Sequence, residues 1–205
     1  QIVAQIPTSA LSDETPINIH NIIKEPPIHL LEKWEWTEEE LPAISENKIF
    51  SLKDQQKYSF SEIILKLLSN PSIASKSWVY RQYDSQVQSN TVFKPGDADA
   101  ALIRLRRQDE KNKNNEFSGV AASVDCNSRW VLLDPYRGSI AAVAESARNV
   151  SCVGAQPIAI TNNLNFSSPE TEIGYWQLSS ACDGISKACI ALETPVTGGN
   201  VSLYN

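Results

Sequence analysis

Apolar residues change their spacing along the chain, and each change predicts an element. Ser59-Phe60-Ser61-Glu62 opens a run in which Ile63, Ile64, Leu67 and Leu68 share one helical face. Asn70-Pro71 closes that run, because the residue before proline is pushed out of helical geometry, and a second short helix is expected from about Ser72. Residues 100–105 and 119–125 read as strands, and the polar stretch 109–115 between them reads as a hairpin-like loop with its lysines at a solvated tip. Ile140, Val143, Ala147 and Val150 recur every three or four residues, so a helix is expected there. It stops at Gly154, with Pro157 three residues on. Residues 157–161 form a short apolar strand. A helix follows from about Pro169, turning Leu178, Ala181, Ile185, Cys189 and Leu192 inward, and residues 195–197 are the next strand.

Two strands, then helix, strand, helix, strand, describe an α/β or α+β domain with long helices packed on a sheet. Upstream of it the pattern fades. Residues 1–45 are proline-rich, including Pro26-Pro27, and then acidic at Glu38-Glu39-Glu40. They read as the end of a preceding domain and a connecting segment, with Trp34 and Trp36 pinning that segment to a surface by packing rather than by stacking on a ligand. Residues 46–70 continue as linker and helix, and 71–205 carry the main domain.

A hydrophobic fraction of 41% with 20% charged residues is that of an ordinary globular chain. A net charge of −6 and a pI near 5.0 argue against a general nucleic-acid binder, while leaving room for a nucleotide held by backbone amides and a metal ion. No apolar run is long enough to cross a membrane as a helix, and the first residues lack the features of a signal peptide. The sequence has no methionine, and it stops within a glycine-marked stretch. A piece of a longer protein is therefore expected. Cys126, Cys152, Cys182 and Cys189 form no C-x-x-C pair and lie far from His20 and His29, so reduced structural thiols are expected, not a zinc site.

The residues with most chemical potential follow strands. Asn162-Asn163-Leu164-Asn165-Phe166-Ser167-Ser168 and Gly198-Gly199-Asn200-Val201-Ser202 both read as strand-end loops, where α/β proteins bind ligands. Paired glycines let a phosphate approach the backbone, Asn200 offers a hard neutral oxygen suited to Mg²⁺, and Ser202 offers a hydroxyl for a phosphate or ribose. Gly-Gly-Asn is equally good turn chemistry, so the residues alone leave both readings open. For Asp97, Asp99, Asp125 and Asp134, a cap, turn or solvent role competes with metal binding.

Longer motifs narrow the choice. Trp78-Val79-Tyr80-Arg81-Gln82-Tyr83-Asp84, Gln88-Ser89-Asn90-Thr91-Val92, Pro95-Gly96-Asp97-Ala98-Asp99-Ala100-Ala101 and Asp125-Cys126-Asn127-Ser128-Arg129 occur in order. Ala144-Glu145-Ser146-Ala147-Arg148-Asn149-Val150, Asn163-Leu164-Asn165-Phe166 and Thr194-Pro195-Val196-Thr197-Gly198-Gly199-Asn200-Val201-Ser202-Leu203-Tyr204-Asn205 follow. Together they resemble the second half of the phosphoribosylformylglycinamidine synthase subunit II family, short bacterial type, within the aminoimidazole ribonucleotide synthase superfamily.

The resemblance implies a synthase N-terminal-like domain over 71–205, with a mixed sheet and long helices, after the short extended tail of a preceding C-terminal-type domain. It implies two duplicated halves that form a site between them. ATP there activates the formamide oxygen of formylglycinamide ribonucleotide, and ammonia then displaces phosphate. Glutamine supplies the ammonia through a glutaminase subunit, alongside a small third subunit, in the cytoplasm. By position, the resemblance makes Asn162 and Gly199 ATP contacts, Asn200 a Mg²⁺ ligand and Ser202 a substrate contact. Asn162 stands where the family usually has aspartate, and Ser167-Ser168 where it more often has Gly-Asn. The family's catalytic histidine, ATP-binding lysine and most metal carboxylates belong to the first half and have no counterpart here, so no catalytic residue is expected in this chain. A non-catalytic half that only stabilises the fold is the alternative, as is another member of the superfamily.

Overall fold

A computed structural model describes residues 2–15, 17, 19, 21–34, 43–44, 49–51, 57–105 and 118–204. A 3₁₀ turn at Thr8–Leu11 and helix α1 (Ile28–Trp34) precede a small antiparallel sheet of β1 (Ala43–Ile44), β2 (Ile49–Ser51) and β3 (Lys57–Ser59). The linker reading of 46–70 gave no hint of these strands, which are too short to show alternation.

Helix α2 (Phe60–Ser69) starts where the sequence predicts. Ser59 accepts from the Glu62 amide at 3.3 Å while Glu62 Oε2 accepts from the Ser59 amide at 2.8 Å, a reciprocal cap. The short helix expected from Ser72 begins later, as α3 (Ser77–Tyr80). Asn70 is the reason. Its carbonyl accepts from the Ile73 and Ala74 amides and its side chain from the Ser72 amide, which holds 70–74 as a turn.

A second antiparallel sheet contains β4 (Thr91–Phe93), β5 (Ala101–Leu105) and β6 (Ser118–Ala122), in the order β4-β5-β6. The loop expected at 109–115 lies outside the described residues. Strand β6 ends at Ala122, short of the expected Asp125. Beyond it Ser123 hydrogen-bonds Ser146, and Asp125 accepts from Asn149 Nδ2 at 2.7 Å, so side chains take over from the ladder.

Asn127 caps α4 (Ser128–Leu133), and Asp134 then caps α5 (Pro135–Cys152) by accepting from the Arg137 amide at 2.9 Å, with Pro135 at the first helical position. Gly154, at φ 82°, turns the chain out of α5 as expected. Strand β7 (Ile160–Asn165), helix α6 (Glu172–Leu192) and strand β8 (Val196–Ser202) form a β-α-β unit whose strands pair in parallel. Antiparallel and parallel pairing are thus both present, divided between separate sheets.

The core lies between α5, α6 and β7. Val143, Ala188 and Cys189 are buried there, with Ile140, Ile160 and Ile185 packed against them. The two long helices touch closely because α6 carries Gly184: a β-carbon there would lie 2.2 Å from the Tyr136 carbonyl oxygen of α5. Two expectations about burial need correction. Leu192 is 42% exposed, because it sits in the last turn, beyond which Glu193 at φ 55° swings the chain toward β8. Of the four thiols only Cys189 is buried; Cys126, Cys152 and Cys182 are exposed. Upstream, Lys24, Pro26 and Leu31 border a cleft of about 290 Å³ whose far wall includes Tyr136 and Trp176.

Candidate functional site

Residues 162–165 and 198–202 are strand rather than loop, which corrects the sequence expectation there, while 166–168 do form a loop after β7. Pairing runs through the asparagines and the glycines, with Asn162 opposite Gly199, Asn163 opposite Asn200, Leu164 opposite Val201 and Asn165 opposite Ser202. The ladder supplies partners for backbone groups that a loop would leave to solvent, and it continues to the Phe166 amide, which donates to Ser202 O at 3.0 Å. One extra residue, Thr197, is accommodated where the register shifts between Ile160 and Thr161.

Side chains alternate across a strand, so this register sorts the candidates by face. Ile160 packs on the helical core, and Asn162 and Leu164 share its side; all three are half-buried. Thr161, Asn163 and Asn165 are exposed on the other side, and pairing places Gly198, Asn200 and Ser202 with them. The four predicted site residues are therefore neighbours in one strand pair but do not face one way. Asn200 and Ser202 share the open face. Asn162 turns toward α6.

Asn162 and Gly199 are matched to each other. A β-carbon on Gly199 would lie 1.9 Å from Asn162 Oδ1 and 2.2 Å from its carbonyl oxygen, so only glycine fits opposite this amide. Asn162 also borders a groove of about 520 Å³, which α6 lines with Cys182, Ile185, Ser186 and Ile190. Burial, then the neighbouring Asp183 carboxylate, raises the Cys182 thiol above its ordinary value; burial and then Glu145 do the same for Cys126. Neither thiol is primed as a nucleophile.

The open face presents amide and hydroxyl oxygens and no carboxylate among its described residues. Such neutral hard donors suit Mg²⁺ that arrives bound to phosphates, and are too weak to gather the bare ion. The aspartates weighed earlier stand apart from it. Asp134 caps α5, Asp97 accepts from the Lys94 amide, and Asp99 lies exposed in the bend before β5. Asp125 is held by Asn149, with its second oxygen buried and without a hydrogen-bond partner among the described residues.

The loop after β7 settles around Ser168, whose carbonyl accepts from both the amide and the hydroxyl of Thr171, the α6 cap. Neither Ser167 nor Ser168 adopts a positive φ, so serine there needs no glycine-like freedom. Reading 162–165 as a loop hid two further candidates, Asn163 and Asn165. The signal for them was present: Asn-x-Asn in β7 and Asn-x-Ser in β8 repeat at the period of a strand.

Comparison with known proteins locates this arrangement. The family model for the AIR synthase related protein N-terminal domain matches residues 97–205. The phosphoribosylformylglycinamidine synthase subunit PurL of Prochlorococcus marinus strain MIT 9515 is 86% identical over all 205 residues, and that of strain NATL1A is 59% identical; the chain spans 26% of the length of each. Among solved structures, the PurLQS assembly of Thermotoga maritima matches 64% of this chain and 21% of its own at 34% identity and a TM-score of 0.56. T. maritima PurL complexed with ATP matches 64% of this chain and 20% of its own at 33% identity and a TM-score of 0.53. With more than half of its residues under that model, the β-α-β unit included, the chain belongs to the AIR synthase related protein N-terminal domain family.

Proposed function

We propose that this chain is part of a subunit II-type phosphoribosylformylglycinamidine synthase, the ligase that turns formylglycinamide ribonucleotide, glutamine and ATP into formylglycinamidine ribonucleotide, ADP, phosphate and glutamate in purine biosynthesis. Its open β7–β8 face is one wall of the nucleotide site. The observation that carries the proposal is the register itself: Asn200 and Ser202 emerge together at the carboxyl end of a β-α-β unit, the end at which such units bind ligands. The 86% identity to a PurL and the likeness to a PurL solved with ATP support it.

In this reading Gly199, whose missing side chain is taken up by Asn162, meets ATP through its backbone alone, Asn200 turns its amide oxygen toward the metal-bound phosphates, and Ser202 gives a hydroxyl to the ribonucleotide substrate. Mg²⁺, when bound, offsets the charge that develops on the transferring phosphoryl group. All three residues lie on or flank strands, so they are positioned before the ligand arrives, which is how binding groups lower a barrier without moving. Residues 1–45 are the end of a preceding domain with its connection, 46–70 linker and helix, and 71–205 the synthase domain of the second half. The first half of the polypeptide supplies the acid–base groups, a glutaminase subunit and a small third subunit complete the assembly, and the setting is cytoplasmic. No helix among the described residues is long and apolar enough to cross a membrane.

A second reading, a half that binds nucleotide only to stabilise the fold, is favoured by Asn162. Its amide replaces the family's usual aspartate and turns toward α6. Steady-state kinetics of the full-length polypeptide with its partner subunits decide between the two. Asn200→Ala lowers kcat/KM for ATP about tenfold or more if the face is catalytic. Unchanged kinetics leave only the structural reading.

A further inference from the structure

On the reading just given, Thr161, Asn163, Asn165 and Gly198 of the open face have no assigned part. Asn163 lies directly opposite Asn200 in the parallel pair, on the same face, and both are exposed. Neighbouring strands are about 4.8 Å apart, so two amides at one register position can bring their oxygens within the roughly 3 Å that separates adjacent ligands of an octahedral Mg²⁺. Asparagine is a poor strand former, which makes three of them in the six residues of β7 costly unless they serve something else. Asn165 serves partly the chain: its Nδ2 donates to the Asn163 carbonyl at 3.2 Å. Asn162 is matched to Gly199. The Asn163 side chain makes no hydrogen bond among the described residues, and neither does that of Asn200.

We propose that Asn163 is a second binding residue of this face, its amide oxygen acting with that of Asn200 on one Mg²⁺–phosphate group. Because both donors are neutral, the pair takes the metal only as its complex with a nucleotide phosphate, and Mg²⁺ alone does not bind. The proposal rests on the open face being a nucleotide wall, and it adds a residue that the register selects.

The test is calorimetry on the full-length polypeptide with a non-hydrolysable ATP analogue across a series of Mg²⁺ concentrations, with thermal melts of the same samples. Asn163→Leu, close in size and exposed, is expected to raise the Mg²⁺ concentration for half-maximal binding roughly tenfold, the scale of one lost polar contact, at an unchanged melting temperature. Asn163→Asp, which restores an oxygen and adds charge, is expected to bring that concentration back to the wild-type value or below. An unchanged Mg²⁺ requirement in Asn163→Leu, while Asn200→Ala raises it, overturns the role of Asn163 and leaves the nucleotide wall standing. If neither variant shifts it, the wall itself falls. A lowered melting temperature with an unchanged Mg²⁺ requirement makes Asn163 structural and also overturns the proposal; should Asn163→Leu fail to fold, Asn163→Asp decides alone, a requirement below that of wild type supporting the proposal and an unchanged one overturning it.

Discussion

A methyl group added at Gly199 would overlap both oxygens of Asn162, whereas one added at Gly198 meets nothing within 4 Å. The two glycines are adjacent in sequence and indistinguishable there, and only the register separates them. Gly199→Ala is therefore expected to destabilise the protein by about 1–3 kcal/mol, the usual cost of overpacking a fitted contact, while Gly198→Ala stays within about 1 kcal/mol of wild type. Denaturant melts of the two variants check this, and equal midpoints would contradict the register. Pairing Asn162→Ala with Gly199→Ala recovers only part of the loss, because the carbonyl oxygen remains in the way. The candidates themselves were legible at this scale, and pairing sets Asn200 and Ser202 on one face. The direction of Asn162 was not, because a residue's face depends on which strand it pairs with.

Helix ends and helix contacts set the second scale. The Ser59–Glu62 cap depends on an ionised carboxylate: the Ser59 amide, then the Ser59 hydroxyl, hold the Glu62 carboxyl below its ordinary value, with Lys66 a smaller influence. A lowered folded-state pKa contributes stability above the unfolded value, which is lost as pH falls through the folded one. The helix α2 contribution is accordingly complete above about pH 4.3 and disappears below it, and Glu62→Gln removes that dependence. A pH series of melts for wild type and Glu62→Gln checks it; parallel curves below pH 5 would contradict the cap. The α5–α6 contact is a steric matter. Gly184→Ala pushes a methyl against the Tyr136 carbonyl, where neither backbone can yield cheaply, and is expected to cost about 1–3 kcal/mol in the same assay. Both helices were legible from their apolar period, and the end of α5 from Gly154. The Gly184 contact was not, because it depends on which residue of α5 lies opposite.

At the scale of the molecule, the described surface carries much apolar area on its strands, with Ile103, Leu105, Val120 and Val201 each about half exposed. Strands in a finished domain bury one face, so these surfaces need cover from elsewhere. The chain spans about a quarter of the length of the PurL relatives, which is room enough for it. The separated 205-residue chain is expected to give no amidine product with formylglycinamide ribonucleotide, ATP and ammonia, since no acid–base residue stands on its open face among the described residues. Measurable turnover in a phosphate-release assay would refute that. By itself the sequence determined the order of the strands and helices from β5 onward except α4, the cap of α2 and the stop of α5, and it named candidates for a nucleotide contact, because period, proline, glycine and polar caps act within a few residues. Tertiary structure alone decided that the two glycine- and asparagine-rich stretches are paired strands, which of their side chains share a face, and where glycine is obligatory. Those outcomes depend on hydrogen bonds and close approaches between residues some forty positions apart, which no local pattern encodes.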